Sequence, residues 1–250
     1  MGVLIDDKDA PGLVTEGHEA DKWLEVFSLF IHDLEPPLAS MKYILKLLDE
    51  GKYNPEKATH RELVSSSKVA MHRAETIVYD ILAVARSGSV GLPVNMTELD
   101  PDVIIDEVAS LAQGAAAEND VSVSVNRDGD SPLIKADAGL LARTLDNFIY
   151  NGLRHTPTGG EITIYTSVGK ASFYIHVKDS GPGFDDIEPG VLFEKFGQIN
   201  MRAAGKHRGV GLGLYFCMLA ATGMKGTVMA DNHPDGGAVF SVKLQMVEEK

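Results

Sequence analysis

The sequence predicts an α+β chain: a long antiparallel helical hairpin, paired with a second copy as a four-helix bundle, followed by a mixed sheet with helices on one face. Three observations predict it. Leu24, Phe27, Ile31, Leu34, Leu38, Met41, Leu45 and Leu48 follow one another in steps of three and four, a packing seam of period 3.5. A second seam, Leu63, Ser67, Ala70, Ala74, Ile77, Ile81 and Val84, begins after the break "EGKYNPEKA". From "GSVGLP" at 88–93 onward the period changes, and helical and strand patterns alternate between Gly and Pro punctuation.

The bulk composition excludes several classes. The 250 residues are 44% hydrophobic and 24% charged, ordinary for one or two globular domains. A formal net charge of −13 argues against a general nucleic-acid binder, which would carry a basic stripe. Cys217 is the single cysteine, so no intrachain disulfide can form. The apolar runs fall short of the roughly 18–20 residues needed to span a bilayer. The N-terminus, "MGVLIDDKDAPGLVTEGHEADKW", lacks a basic region followed by an apolar one. The expectation is a cytoplasmic chain with no membrane segment, either whole or a soluble piece of a larger sensor protein.

In the hairpin, Val64, Met71, Val78, Leu82 and Ala85 widen the apolar face of the second helix beyond what one hairpin can cover, which is why a homodimer is expected. In the second half, "PVNMTEL" reads as a strand. "DPDVIIDEVASLAQGAAAE" reads as a helix opened by Asp100 as N-cap with Pro101 in its first turn. "VSVSV" alternates with period two. "DAGLLARTLDNFIYNGLRHT" is a helix capped by Asp137. "GEITIYTSV" and "ASFYIHVKD" form strands around a turn at Gly169, "GVGLGLYFCMLAATG" closes as a helix ending at Gly223, and "GTVMADNH" and "GAVFSVKLQMV" are the last strands.

Five places carry chemistry. In "FIHDLEPPLASM", His32 lies just off the seam with Asp33 beside it. Pro36 and Pro37 cannot donate to the carbonyls of residues 32 and 33, at about 3 kcal/mol or more per interior proline. A helix built only for packing has no use for that break. Asn147 and Asn151, four apart, share one helix face, and their amide oxygens suit a hard cation such as magnesium; Arg154, one residue off that spacing, can reach a phosphate. In "VKDSGPGFD" a strand delivers Asp179 at its end, able to accept from the amine of a purine, followed by Gly181 and Gly183. In "GVGLGLYF", Gly209, Gly211 and Gly213 let backbone approach an anion at a helix N-terminus. Between them, "LFEKFGQINMRAAGKHRG" carries Lys195, Arg202, Lys206 and Arg208 flanked by Phe193 and Phe196, the pattern of a basic lid. Each alone has an ordinary structural explanation: a solvated helix face, a strand-end turn, a glycine turn, a basic loop.

Together and in this order, "HDLEPPL", "NFIYN…HTP", "DSGPG", "FEKF" and "GVGLGL" resemble the H, N, G1, F and G2 boxes of the sensor histidine kinases of two-component systems, over residues 25 to 246. The resemblance implies an N-terminal tail or linker at 1–18, a dimerisation and phosphoacceptor hairpin at 19–88, and an α/β-sandwich ATP-binding domain of the Bergerat type at 89–250. It implies ATP and Mg²⁺ as cofactors and a response-regulator receiver domain as partner. His32 would be the phosphoacceptor and Asp33 its neighbouring acid. Asn151 would hold magnesium with Asn147 assisting, and Arg154 would contact phosphate. Asp179 would read the adenine amine, Gly181 and Gly183 would line the base pocket, and Lys195, Gly209, Gly211 and Gly213 would belong to the lid and phosphate cradle.

Two departures matter. Glu35 stands where the family has a basic residue, and Pro36 where it has a small hydroxyl or amide residue linked to dephosphorylating the partner. The expectation is weak or absent phosphatase activity. The rival readings are a nucleotide-hydrolysing relative, which would need a glutamate where Asn147 stands, and a phosphotransfer or scaffold protein with a non-catalytic nucleotide domain.

Overall fold

The computed structural model describes residues 28, 31, 34–35, 38–39, 41–87, 92–127, 129–184, 188–194 and 212–247. Residues 41–49 are helical (α1), and a second helix of 30 residues, α2, runs over Ala58–Ser87. Gly51, at φ +63°, ends α1 in the left-handed conformation that glycine adopts without strain. The amides of Lys52 and Tyr53 then donate to the carbonyl of Leu47. The connection is stitched at its far side as well: the amide of Asn54 donates to His60 Nδ1 at 3.0 Å, and the His60 ring stacks on Tyr53 at 5.8 Å. The break expected at "EGKYNPEKA" is therefore present. Tyr43, Leu45, Leu48, Met71 and Val78 on these helices are all exposed in the single chain.

Among the described residues, the second half is one seven-stranded sheet with three α-helices on one face. Its strands are β1 (Thr97–Leu99), β2 (Ser122–Asn126), β3 (Ile134–Ala136), β4 (Glu161–Val168), β5 (Ser172–Asp179), β6 (Thr227–Asn232) and β7 (Ala238–Met246), in the order β1-β3-β7-β5-β4-β2 with β6 also on β7. Every pairing is antiparallel except β2 with β4. The helices are α3 (Pro101–Glu118), α4 (Ala138–His155) and α5 (Gly213–Gly223). Asp100 caps α3 by accepting from the amide of Asp102, and Asp137 caps α4 by accepting from that of Leu140. Alternation along the strands sends Ile162, Ile164, Phe173, Ile175, Phe240 and Val242 into the helix side, where they meet Leu141, Leu145 and Phe148 of α4 and Phe216 of α5.

Two sequence expectations change. "PVNMTEL" yields only three strand residues, because the amide of Asn95 is drawn to Asp137 Oδ2 at 2.7 Å rather than to a neighbouring strand. β3, in "PLIKA", carried no readable signal: three residues beside a proline are too short for a period.

The other face of the sheet carries a cross-strand row, Tyr165, His176, Ser241 and Met229, in direct register. His176 stacks against Tyr165 at 4.6 Å and bonds Ser167 Oγ through Nε2 (2.8 Å) and Ser241 Oγ through Nδ1 (2.7 Å). Burial lowers its pKa below the ordinary 6.5 by disfavouring the charged ring. The folded form thus binds its proton less readily than the unfolded chain does. The contribution is complete above pH 6.5 and is lost as pH falls from there toward the lowered folded value. Urea midpoints measured at pH 7.5 and below 6 should show a larger acid-side loss for the native protein than for His176→Gln.

Candidate functional site

Asp179, at the last position of β5, is only 4% exposed. A carboxylate there needs partners, because an unpaired buried charge is costly. Its Oδ1 accepts from the amide of Gly181 at 2.9 Å and from the amide of Ala238, at the start of β7, at 3.1 Å. The two strand ends are held in position by the same oxygen. Three glycines close in around it. A Cβ on Gly181 would lie 2.8 Å from the carbonyl oxygen of His155 and 2.9 Å from Asp179 Oδ1. On Gly152 of α4, a Cβ would lie 3.4 Å from Asp179 Cβ and 3.1 Å from Ile162 Cδ1. On Gly237, at φ +87°, it would overlap the backbone carbonyl of Asp179. Helix, strand and turn approach one another here only because side chains are missing.

The loop after Asp179 is gripped from β6. Asn232 accepts from the amide of Phe184 at 2.9 Å and donates from Nδ2 to the carbonyl of Phe184 at 2.6 Å. Gly183, at φ +77°, turns the backbone just before it. Phe184 is buried near Phe240, and Phe240 also meets Phe148 and Phe193 with ring centroids 5.6 and 6.4 Å away. Phe193 closes the short turn Pro189–Phe193 and is buried, so one of the two expected phenylalanine anchors is seen in the core.

α4 is amphipathic in the expected way. Leu141, Thr144, Leu145, Phe148, Ile149, Gly152 and Leu153 are buried, while Asn147 and Asn151 are part-exposed and Arg154 is exposed on the last turn. Asn147 donates from Nδ2 to the carbonyl of Arg143 at 3.1 Å, which turns its amide nitrogen inward along its own helix. The Arg143 guanidinium lies 3.9 Å from the centre of the buried Phe216 ring, tying α4 to α5. Gly213 is the first residue of α5, which follows Leu212 as its N-cap. The structure therefore brings the Asn147–Asn151 helix, Asp179, Gly181 and Gly183 together around the end of β5. His32, Asp33, Lys195, Phe196, Arg202, Lys206, Arg208, Gly209 and Gly211 lie outside the described residues.

Residues 136–248 match the model of the histidine kinase-, DNA gyrase B- and HSP90-like ATPases. The chain is 29% identical over 230 residues to the hybrid signal transduction histidine kinase D of Dictyostelium discoideum, covering 89% of this chain and 15% of that protein. It is 22% identical over 227 residues to the adaptive-response sensory kinase SasA of Microcystis aeruginosa, covering 88% of this chain and 58% of that one. Residues 136–248 thus resemble an ATPase domain that histidine kinases share with DNA gyrase B and HSP90, and along most of its length the chain is similar to histidine kinases. It spans well under two thirds of either relative's length. The crystal structure of full-length ShkA in complex with AMPPNP shares the fold, with a TM-score of 0.62 at 22% identity over 90% of this chain and 46% of that one. Among the described residues, no helix is long and apolar enough to cross a membrane.

Gly152, Gly237 and Asn232 were not singled out in the sequence. Gly236-Gly237 is a legible turn signal, but nothing local says that the turn abuts Asp179, 58 residues earlier. The two glycines give a controlled comparison. Both have positive φ, but a Cβ on Gly236 meets nothing within 4 Å. Gly236→Ala should cost about 1–2 kcal/mol from the left-handed conformation alone. Gly237→Ala should cost more than about 3 kcal/mol, because the backbone clash adds to it. Urea unfolding of the two variants beside the parent measures both.

Proposed function

We propose that the chain is an ATP-dependent protein-histidine kinase that phosphorylates His32 and passes the phosphoryl group to an aspartate of a response-regulator receiver domain. The observation that carries this reading is Asp179: a buried carboxylate anchored through one oxygen by two backbone amides, walled by glycines, against the helix that bears Asn147 and Asn151. Its Oδ2 is the acceptor we assign to the exocyclic amine of adenine. A base is flat, and the side-chain-free walls at Gly181 and Gly183 suit it. The domain's family and the AMPPNP complex of ShkA support nucleotide as the ligand.

The donor set also fits magnesium. Among the described residues no cluster of three or more His, Cys, Asp or Glu could hold a metal ion. A cation that takes one or two amide oxygens and fills its shell with waters and phosphate oxygens needs no such cluster. Asn151 is the ligand we assign, with Asn147 assisting. Bound ATP with Mg²⁺ supplies the γ-phosphoryl group. Arg154, the amides at the N-terminus of α5 near Gly213, and Lys195, Gly209 and Gly211 would neutralise and cradle the phosphates. His32 would attack through an unprotonated ring nitrogen, with Asp33 accepting or orienting the proton on the other.

In this reading residues 1–18 are a tail or linker, 19–88 the phosphoacceptor hairpin and 89–250 the catalytic domain. The hairpin pairs with a second copy as a four-helix bundle, supported by the exposure of Leu45 (63%), Leu48 (52%) and Met71 (51%) in the single chain. Sedimentation equilibrium at micromolar concentration should give a dimer, and a persistent monomer would remove the bundle.

The labelling experiment is direct. With γ-labelled ATP and Mg²⁺, the chain should take up acid-labile, alkali-stable label that His32→Gln lacks. Asp179→Asn keeps an oxygen for the amides of Gly181 and Ala238 but loses the charge, so ATP should bind about 10–100-fold more weakly. Binding without label would leave a kinase that needs activation; absence of ATP binding would favour a phosphotransfer or scaffold protein. With a labelled response regulator as substrate, dephosphorylation should be slow, because Pro36 has no polar side chain with which to hold water. Rapid loss of that label would refute the Pro36 argument.

A further inference from the structure

On the face of the sheet turned away from the helices, a cavity of about 360 Å³ is open to solvent. Its floor is the row Tyr165, His176, Ser241 and Met229, and its rim includes Tyr174 and Asp231. The rings are ordered: Tyr165 and His176 lie 18° from parallel, and Tyr174 and His176 lie 2° from parallel with centroids 6.0 Å apart. Both imidazole nitrogens are engaged by serine hydroxyls, at 2.7 and 2.8 Å, and His176 stacks on Tyr165, so these part-exposed rings give the cavity an aromatic wall without a free imidazole nitrogen. Part-exposed aromatic carbon is costly to leave in water and favours contact with other flat rings.

We propose that this cavity is a second ligand site, taking a small flat heteroaromatic molecule with a hydrogen-bond-donor edge, and that its occupant is felt by the loop Gly181–Phe184. The part-exposed rings supply the apolar contact surface, and the Asp231 carboxylate on the rim supplies the acceptor for the donor edge. A ring system without a donor edge lacks that second contact. The volume suits one or two fused rings, within the range of small-molecule sites. The link to the loop is direct. Asn232 lines the cavity beside Asp231, and it also holds both the amide and the carbonyl of Phe184. A shift at the end of β6 moves that grip. The cavity itself does not depend on the nucleotide reading.

The test uses 2-aminobenzimidazole as probe, with the full chain labelled at methionine methyls and backbone amides, in excess ADP and Mg²⁺. Saturable shifts are expected at the Met229 methyl, at the amides of Tyr174 and His176, and at the amide of Phe184. Tyr174→Leu should weaken the probe at least tenfold, and Asp231→Asn several-fold. Asp231 is exposed, so this second variant remains informative if the first fails to fold. Naphthalene-1-sulfonate should bind at least tenfold more weakly. Absence of saturable shifts at Met229, or undiminished binding to both variants, overturns the site. Equal binding of N-acetylarginine amide would overturn the small-molecule reading in favour of a basic peptide. Shifts at Met229 without one at Phe184 overturn the link.

Discussion

The bond set around Asp179 Oδ1 is the constraint on which the rest of the sheet domain depends. A carboxylate 4% exposed stays in place only if its charge is met, and the amides of Gly181 and Ala238 meet it. That requirement fixes where β7 begins relative to where β5 ends. It also fixes the path of the loop after β5, and so the position of Phe184 beside Phe240. Gly152, Gly181 and Gly237 are consequences of it, since three backbone segments converge on one side chain and leave no room for a Cβ. Truncating Asp179 would leave two buried amides without an acceptor as well as removing the contact proposed for adenine, so an alanine variant would not separate the structural role from the proposed one.

Much of this was legible in the sequence, for reasons that differ by element. α3 and α4 carry both period and caps, and the caps Asp100 and Asp137 act through local bonds that sequence spacing encodes. β4 and β5 alternate cleanly because one face meets the helices and the other meets solvent. β1 and β3, three residues each, have too few positions for a period, and part of the segment read as β1 is diverted to Asp137. The site divides in the same way. Asn147, Asn151, Asp179, Gly181 and Gly183 were visible because each belongs to a short motif. Asn232 and Gly237 were not, because their roles depend on contacts made 48 and 58 residues back along the chain, to Phe184 and Asp179. No local pattern marks an asparagine that grips a distant backbone.

The sheet's two faces show how one set of strands supports two environments. The helix side is apolar and closed, and its residues are replaced only at the cost of cavities or overlap. The open side mixes aromatic, hydroxyl and imidazole groups in a register set by the same ladder. At the end of β6, Asp231 and Asn232 both line the cavity on the open face, and Asn232 also holds Phe184. The open face therefore shares a residue with the loop that follows Asp179.

Asn147 separates the kinase reading from hydrolysis. An amide oxygen can ligate a cation, but it cannot take a proton from water at neutral pH, so this position holds no general base. Its nitrogen is moreover committed to the carbonyl of Arg143. A nucleotide site without its own base must be given a nucleophile from elsewhere, and an unprotonated imidazole needs less activation than water. His32, outside the described residues, is the group we propose, and its seam neighbours Ile31 and Leu38 are helical and exposed in the single chain. The division of the chain follows from this reading: one half binds and orients the phosphates, and the other presents the atom that attacks them.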